Sequence, residues 1–469
     1  MKEELYDFGM VGLGVMGRNF ILNVADNGFS TVGLDLDKEK VSALKEEAED
    51  RKIKSTDSIK EFVSSLSTPR KIMLLVPAGK PVDGVIKDLI PLLDKDDLII
   101  DGGNSYFTDT NRRSKELDEK GINFFGMGVS GGAEGARRGP SIMPGGPEAA
   151  YQSVKPIMEA VSAKVNGDPC VAYLGPKSAG NYVKMVHNGI EYGLMQLIAE
   201  AYDLLKNVAG LNNDQIQEVF AKWNEGRLQS FLVEITAKIF KVKDEDSGRH
   251  LVDFILDKAK QKGTGKWTSQ NAMDLGMPIP TIDMAVTMRE LSSFKSERIT
   301  IDTIYEGCGG TPSVDKDKFV SQVESSLYFA FIMTYAQGMA VLSNASAEYG
   351  YNLNLETVAK IWRGGCIIRA TLLEDIMQAY KADPNLFNLI ASPDFASTIL
   401  TLEADARKVI STGIEAGIPI AALSSTISYF DAFRSGRLPL NVVQAQRDFF
   451  GSHTYERIDT DGIFHTEWE

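Results

Sequence analysis

The chain has 469 residues, of which 43% are hydrophobic, and this length predicts two or three domains with large cores. Fifty basic and 64 acidic residues give a formal net charge of −14, which argues against a general binder of nucleic acid or anionic membranes, because phosphate groups demand clustered positive charge. Cys170, Cys308 and Cys366 are odd in number and lack metal-ligand spacing, so we expect neither a disulfide framework nor a structural zinc site.

The amino terminus, MKEELYDFGMVGLG, leads directly into a predicted strand, without the basic region, apolar core or cleavage site of a signal peptide. We find no uncharged apolar run of about 18 residues, so no membrane-spanning helix is predicted. These features predict a cytoplasmic protein.

The first 178 residues alternate β-rich runs with helical patterns. The runs are YDFGMV, STVGLD, KIMLLV, DLIID and NFFGM, and helical patterns such as 19–27 and 38–49 separate them. This alternation predicts a parallel sheet with helices on both faces, an α/β Rossmann-like dinucleotide-binding domain over residues 1–178.

A glycine-rich turn lies between the first predicted strand and the first helix. Its glycines would let backbone N–H groups approach a pyrophosphate at the helix N-terminus, although a purely structural turn is the alternative. Asp35 or Asp37 follows at the distance expected of a ribose-binding carboxylate, which favours NAD over NADP, whereas Lys38 could still reach a phosphate. The candidate cofactor-binding residues of the turn are Gly12, Leu13, Gly14, Val15, Met16 and Gly17.

Two further segments follow strands at the carboxyl edge of the predicted sheet, where ligands bind in open α/β folds. They are Val76-Pro77-Ala78, predicted to contact the cofactor, and the loop containing Asn104, which could orient a substrate near the nicotinamide or simply form an Asx turn. Residues 126–146 are dense in glycine, which suits close backbone approach to a ligand at Ser130, Gly131 and Gly132 more than a packed element. A flexible interdomain linker is the alternative.

From residue 179 to 436 the patterns have a helical period, which predicts a large all-α domain. A faint repeat relates residues 209–235 to a segment about 140 positions later, with Trp223 matching Trp362 and Gly226 matching Gly365. Residues 437–469 form a carboxyl-terminal tail after the break at Pro439.

Four polar residues lie at helical spacing in an otherwise apolar segment. Lys184, His187, Asn188 and Glu191 occupy positions i, i+3, i+4 and i+7, so they share one face of a helix. Their apolar neighbours predict a buried helix whose polar stripe faces a cavity, and a solvated face with a stray histidine is the alternative.

Three more segments contain residues that packing does not require. The segment 261–267 could meet an anion through Lys262 and Thr264, or could be an ordinary surface turn. Arg289 is one of several charges on a predicted helix, and on its own it is more typical of a solvated face. Arg447 and His453 lie in the tail.

Taken together, these motifs resemble the 6-phosphogluconate dehydrogenase family over nearly the whole chain. The segments that carry the resemblance are VGLGVMG, DGGNS, GVSGGAEGARRGPSIMPGG, KMVHNGIEYG, QKGTGKW, LSSFKSER, WRGGCIIR and RDFFGSHTYER. The resemblance implies oxidative decarboxylation of 6-phosphogluconate to ribulose 5-phosphate with reduction of NAD or NADP. It also implies a helical domain formed by duplication, a homodimer, and a tail whose Arg447 and His453 complete the partner's site.

The resemblance further implies a role for each candidate residue, without any metal. Lys184 would be the base and Glu191 the acid, His187 and Asn188 would orient sugar hydroxyls, and Ser130, Gly131 and Gly132 would meet the carboxylate end. The residues expected around the phosphate are Tyr192, Lys262, Thr264, Arg289 and Arg447. As a base Lys184 must be neutral, so its pKa should fall from about 10.4 toward roughly 7 to 8, which burial can supply.

One departure from the family pattern bears on the cofactor. NADP-using relatives tend to place Asn-Arg-Ser or Asn-Arg-Thr after the second strand, where this chain has Asp35-Leu36-Asp37-Lys38. Two other functions stay open, a β-hydroxyacid dehydrogenase that does not decarboxylate and a nicotinamide-binding protein without turnover. The cationic set Lys262, Arg289 and Arg447 argues against the first, and Lys184 with Glu191 argues against the second.

Overall fold

A computed structural model describes residues 5–469. The amino-terminal part is built on one seven-stranded sheet. Its strands are β1 (Phe8–Val11), β2 (Thr31–Leu34), β3 (Ile53–Thr56), β4 (Lys71–Leu74), β5 (Leu98–Asp101), β6 (Asn123–Ser130) and β7 (Ser141–Gly145).

The sheet has the strand order β3-β2-β1-β4-β5-β6-β7, and its first six strands are parallel. The predicted parallel sheet is therefore confirmed. The chain reverses its direction of travel across the sheet between β1 and β4, which is the switch point where dinucleotides bind in such folds. β3 was not predicted because Ile53-Lys54-Ser55-Thr56 is polar, and β7 is antiparallel to β6.

Helices cover both faces of this sheet. They are α1 (Val15–Asp26), α2 (Lys38–Ala48), α3 (Ile59–Ser64), α4 (Lys80–Leu89), α5 (Phe107–Asp118), α6 (Gly132–Arg138) and α7 (Glu148–Val161), followed by the short antiparallel pair β8 (Lys164–Val165) and β9 (Asp168–Pro169). Two separate apolar clusters result, one around Phe8 and Phe20 and the other around Phe62 and Phe124. α1 begins four residues earlier than its apolar pattern indicated, because the last glycine of the turn lies inside the helix.

After residue 178 the chain is almost entirely helical, as predicted. The helices are α8 (Ala179–Asn207), α9 (Asn213–Trp223), α10 (Phe231–Lys241), α11 (Thr264–Asp274), α12 (Pro280–Ser293), α13 (Lys295–Ile304), α14 (Lys316–Tyr349), α15 (Leu355–Trp362), α16 (Leu372–Ala382), α17 (Pro393–Glu415) and α18 (Ala421–Phe433). The long helices α8 and α14 pack against each other in the centre of one large apolar core.

The expectation that the chain has no uncharged apolar run of about 18 residues is wrong for α14. Residues 325–347 carry no charged side chain, and α14 is long and apolar enough to cross a membrane. Every residue of its most apolar 18-residue window is buried within the protein, which is how the central helix of a large core looks. Length and composition alone do not distinguish these two environments.

The faint sequence repeat coincides with a repeated order of helices. A long helix leads to a short helix capped by an asparagine and then to a third helix, first as α8, α9 and α10 and again as α14, α15 and α16. Asn212 caps α9 and Asn354 caps α15, each by accepting a backbone N–H three residues further on. The two copies meet where Ser230 and Ala370 form an antiparallel bridge.

The carboxyl-terminal tail packs mainly on itself. It consists of α19 (Leu440–Gly451) and the hairpin strands β10 (Tyr455–Glu456) and β11 (Ile463–Phe464). Asp448 ties it together, because its buried carboxylate accepts from the backbone of Thr454 and Thr466, from the ring of Trp468 and from His465.

Candidate active site

The glycine turn at the switch point is shaped to approach a ligand. Gly12 has a φ of +97°, and a Cβ on Gly17 would lie 1.9 Å from the Gly12 carbonyl oxygen, so both positions require glycine. Gly14 precedes α1 without any side-chain cap, and a Cβ there would meet open space. The first-turn N–H groups of α1 are thus left for an anion, which fits the pyrophosphate of a dinucleotide.

Asp35 lies directly beneath this turn. Its Oδ2 accepts from the Leu13 N–H at 2.8 Å, and its Oδ1 accepts from the Asp37 N–H at 3.0 Å. Asp37 instead caps α2 by accepting from Glu39 N–H, so Asp35 is the carboxylate placed beside the turn. Val15 and Met16 open α1 next to it.

Two loops follow β4 and β5 at the carboxyl edge of the sheet, and the first lies against the turn, because a Cβ on Gly12 would be 2.9 Å from Val76 Cγ1. Val76, Pro77 and Ala78 lie in the first, and Asn104 is exposed in the second. The second loop is held by Asp101, whose Oδ1 accepts from the Gly103 N–H at 3.1 Å. Both loops therefore lie at the carboxyl edge of the sheet, as the sequence predicted.

The glycine density of residues 126–146 predicted close approach to a ligand rather than a packed element, and this prediction is wrong for most of the segment. These residues form β6, α6 and β7, and their glycines admit α8. A Cβ on Gly128 would lie 2.4 Å from the Lys184 Cβ, and one on Gly145 would lie 2.2 Å from the Gly180 backbone nitrogen. The glycines thus seat α8 on the sheet and bring Lys184 to its carboxyl edge.

Three residues of the polar stripe of α8 are buried and the fourth, Glu191, has a side chain only 20% exposed, so the alternative of a solvated face is wrong. Lys184 is 5% exposed, His187 0% and Asn188 7%. Asn188 Oδ1 accepts from Lys184 Nζ at 2.8 Å and lies 3.0 Å from His187 Nδ1, while Asn188 Nδ2 donates to Thr264 Oγ1 at 3.1 Å. The Asn188 amide therefore joins the lysine to the start of α11.

These contacts select one tautomer of His187. Because Asn188 Oδ1 can only accept, His187 Nδ1 carries the proton and donates to it. His187 Nε2 is then free to accept from the Ser130 hydroxyl, 3.2 Å away, and the same hydroxyl accepts from the Ile367 N–H at 3.4 Å. The result is a continuous chain of hydrogen bonds from the loop at Ile367 through Ser130, His187 and Asn188 to Lys184.

Burial shifts the pKa values in this cluster in the directions that proton transfer requires. Burial lowers the pKa of Lys184, although the neighbouring Glu191 and Cys366 oppose the shift. Burial and then the charge of Lys184 lower the pKa of His187 well below 6.5, which keeps the ring neutral. Burial also raises the pKa of Glu191, against the opposing effects of Lys184 and Arg289. The lysine is thereby favoured as a neutral base and the glutamate as a protonated acid.

The end of α15 and the loop after it, which the sequence did not assign to the site, pack against the site. Trp362 packs edge-on against the His187 ring with 5.6 Å between centroids, and the Gly365 carbonyl oxygen would lie 2.4 Å from a Cβ on Gly131. Gly131 therefore serves packing, whereas a Cβ on Gly132 would meet open space. The motif WRGGCIIR was visible in the sequence, but nothing in it indicated that it lies against residues some 200 positions earlier.

The predicted phosphate-binding residues lie in two groups. Tyr192, Thr264 and Arg289 are together beside the stripe, where the Arg289 guanidinium lies over the Tyr192 ring at 3.4 Å and donates to the Lys260 carbonyl. Lys262 is exposed just before α11. Arg447 and His453 are not brought to the site of their own chain, because Arg447 donates to Gln444 and His453 packs on Phe450.

Within residues 5–469 no group of three or more His, Cys, Asp or Glu side chains has a geometry that could hold a metal ion. Cys170 and Cys366 are buried free thiols and Cys308 is exposed.

A parallel sheet with an uncapped glycine turn at its switch point, together with a buried lysine of lowered pKa packed against β6 of the same sheet, is typical of a nicotinamide-dependent dehydrogenase. Residues 7–175 match the family model for the NAD binding domain of 6-phosphogluconate dehydrogenase, and residues 180–468 match the model for its C-terminal domain. The chain therefore belongs to the 6-phosphogluconate dehydrogenase family.

Full-length relatives support this assignment. The chain is 54% identical over 468 residues to the decarboxylating 6-phosphogluconate dehydrogenase of Synechococcus elongatus, covering 99% of both chains. It is 51% identical over 461 residues to the NADP(+)-dependent, decarboxylating enzyme of Bacillus subtilis, covering 98% of both. Among solved structures, 6-phosphogluconate dehydrogenase of Plasmodium falciparum, studied with NADP+ and with 6-phosphogluconate, has a TM-score of 0.95 at 43% identity and covers 98% of this chain and 100% of its own.

Proposed function

We propose that the protein catalyses oxidative decarboxylation of 6-phospho-D-gluconate to D-ribulose 5-phosphate and carbon dioxide with reduction of NAD(P), a reaction of the pentose phosphate pathway. The single observation that carries this proposal is the buried stripe of α8, in which a lysine of lowered pKa and a glutamate of raised pKa share one helix face. Sequence identities of 51% and 54% to decarboxylating relatives over nearly the full length support the same reaction.

The chemistry divides between Lys184 and Glu191. When bound, the nicotinamide accepts the hydride from carbon 3 of the substrate. Neutral Lys184 takes the proton of the carbon 3 hydroxyl, which leaves a ketone β to the carboxylate. Protonated Lys184 then donates to the ketone oxygen as the bond to carbon dioxide breaks. Glu191 protonates carbon 1 of the resulting enediol while the carbon 2 hydroxyl returns its proton to Lys184, which gives the ketone of ribulose 5-phosphate.

The remaining residues bind and orient. Asn188 Oδ1 already accepts from Lys184 Nζ and from His187 Nδ1. We assign His187, Asn188 and Asn104 to the sugar hydroxyls. Ser130 and Gly132 meet the carboxylate end, beside Gly131. The phosphate lies near Tyr192, Lys262, Thr264 and Arg289, where charge-assisted bonds offset the desolvation of a dianion.

The decisive assay mixes the protein with 6-phosphogluconate and either nicotinamide cofactor, and it measures cofactor reduction and carbon dioxide together. We expect one carbon dioxide per cofactor reduced. Reduction without carbon dioxide would instead favour a β-hydroxyacid dehydrogenase that does not decarboxylate, and a lack of both would favour a nicotinamide-binding protein without turnover.

We further propose that Asp35 biases the site toward NAD. Its carboxylate is held beside the glycine turn by two backbone N–H groups, where it would accept from a ribose diol and repel a 2′-phosphate. Two nearby cations oppose this preference: Lys40, whose Nζ lies 3.7 Å from Asp35 Oδ1, and Lys38, whose side chain is 85% exposed. Initial rates with each cofactor test the proposal, and Asp35→Asn should raise kcat/KM for NADP relative to NAD.

The tail supports a homodimer with shared sites. The exposed apolar residues of the tail include Leu440, Val442, Phe449, Phe450 and Ile463, and helix α13 has no buried residue at all. Such surfaces mark association, and each chain's Arg447 and His453 are available to complete the site of a second copy.

Subunit mixing tests this arrangement. Lys184→Ala chains and Arg447→Met chains, each inactive alone, should regain about a quarter of the wild-type sites when unfolded and refolded together, because half of the random dimers are mixed and each has one intact site. A tail that served its own chain would give no recovery.

A further inference from the structure

Arg113 on α5 lies inside the amino-terminal part and contacts four groups from two segments, residues 79–83 and 101–105. Its side chain is 1% exposed. Its Nε donates to Asp83 at 2.8 Å, Nη1 donates to Asp101 at 3.2 Å and to Ser105 at 3.3 Å, and Nη2 donates to the Gly79 carbonyl at 3.1 Å. The guanidinium therefore spans the loop after β4 and the loop after β5.

Stability alone does not account for this arrangement. Asp101 is fully buried, and a buried ion pair gains little over well-packed apolar side chains because both charges must be desolvated. What the guanidinium adds is geometry, since its planar fork fixes several acceptors at once. Three of the acceptors, Gly79, Asp101 and Ser105, lie in or next to the loops after β4 and β5, and the fourth, Asp83, lies in α4.

The second of these loops is also tied to the helix that carries Lys184. Asn181, one turn before Lys184, donates to the Gly103 carbonyl at 3.4 Å and accepts from the Thr110 hydroxyl at 2.9 Å. The loop holding Asn104 is thus fixed from one side by Arg113 with Asp101 and from the other by α8.

We propose that Arg113 is a positioning residue that sets the spacing between the Val76–Ala78 loop and the Asn104 loop. This spacing in turn sets the position of the nicotinamide beside Lys184. The inference rests on the proposed function. Arg113 touches neither ligand, and it acts through Gly79, Ser105 and Asp101.

The test compares Arg113→Lys with Arg112→Lys. A lysine at 113 can remain beside Asp101 but cannot reach Asp83, Ser105 and Gly79 together. Arg112 is the matched control because it also pairs with Asp83, yet it is half-exposed and contacts neither loop.

Two readouts separate positioning from mere folding. Calorimetric titration with the dinucleotide alone should show binding about tenfold weaker for Arg113→Lys than for the wild type. The kcat of this variant should fall at least about tenfold, and the isotope effect for substrate deuterated at carbon 3 should be larger, because misplaced reactants slow hydride transfer. The control should match the wild type in both and in its melting temperature. Arg113→Lys should melt at a lower temperature, because buried acceptors lose their donor, but it should remain folded at the assay temperature.

Asp83→Asn gives a second measurement if Arg113→Lys fails to fold. Arg113 keeps its ion pair with Asp101 in this variant, so no buried charge is left unpaired, while the loss of the Asp83 charge weakens one anchor of Arg113. We expect a smaller shift in the same direction. Wild-type cofactor affinity and isotope effect in the folded variants would overturn the inference, whereas a wild-type protein that does not oxidise 6-phosphogluconate would overturn the proposed function instead.

Discussion

The two longest helices, α8 and α14, pack against each other at the centre of the same core, and they use burial differently. α14 buries neutral side chains, and its Gln337 exchanges hydrogen bonds with Thr281 on α12. α8 buries Lys184, His187 and Glu200. Burial of neutral groups adds stability, whereas burial of titratable groups changes their pKa values and so prepares chemistry. The reactive helix is therefore recognised by the titratable side chains that it buries.

The largest effect is expected from removing the base on α8. Lys184→Ala should lower cofactor reduction by at least about 10³-fold, because the base that takes the substrate proton is missing. Absorbance of the reduced cofactor measures this loss. Lys206→Ala, at the half-exposed end of the same helix, is the control and should keep turnover near the wild-type value. Appreciable reduction by the Lys184 variant would remove its role as the base.

The acid on α8 should matter less and at a later step. Glu191→Gln should slow steady turnover by about 10²-fold, because proton delivery to the enediol becomes limiting. Rapid mixing should still show a fast burst of reduced cofactor, one per site, before the slow phase. Glu324→Gln on α14 is the control. Full steady turnover, or a slow first turnover without a burst, would contradict the assignment.

The contact between the two helices can be broken without touching a titratable group. A Cβ on Gly338 of α14 would lie 2.5 Å from Ile190 Cδ1 on α8. Gly338→Ala should therefore lower the free energy of unfolding by about 1–3 kcal/mol, as overpacking does. Denaturant unfolding measures it, and adding Ile190→Val should recover part of the loss.

Gly84→Ala is the matched control for that variant. Gly84 lies inside α4, and a Cβ there would meet nothing within 4 Å. The same exchange should raise stability there by about 1 kcal/mol, since alanine favours helix. Equal effects at both positions would show that packing between α8 and α14 does not set the outcome.

Sequence patterns predicted local features well. The alternation of strands and helices, the glycine turn and the stripe at Lys184 all follow from periodicity within single segments, and each is present. Periodicity also failed locally where an element lacked an apolar face, as in β3, and it could not distinguish the buried α14 from a membrane span.

Relations between distant segments could not be predicted. The glycine density of 126–146 indicates close approach but does not reveal whether a ligand or α8 approaches, and here Gly128 admits Lys184. Trp362 and Ile367 reach the site only through tertiary packing, and Arg113 looked like one charge among several on α5. Such contacts depend on how the chain folds over more than a hundred residues.

The smallest effect concerns a buried carboxylate of α8 that lies outside the site. Glu200 accepts the backbone N–H groups of Ala422 and Leu423 at 2.9 and 2.8 Å, at the start of α18, and burial raises its pKa from 4.5 to about 7. Between these two values the folded state binds more protons at this group than the unfolded state does. The free energy of unfolding should therefore fall as pH rises through that window, by less than about 1.4 kcal/mol per pH unit. Glu200→Gln should remove this part of the slope in urea unfolding, and Glu218→Gln, on the exposed face of α9, should leave it in place. An unchanged slope in the Glu200 variant would show that the two N–H groups keep the carboxylate ionised, and that burying a charge on α8 has consequences only at the polar stripe.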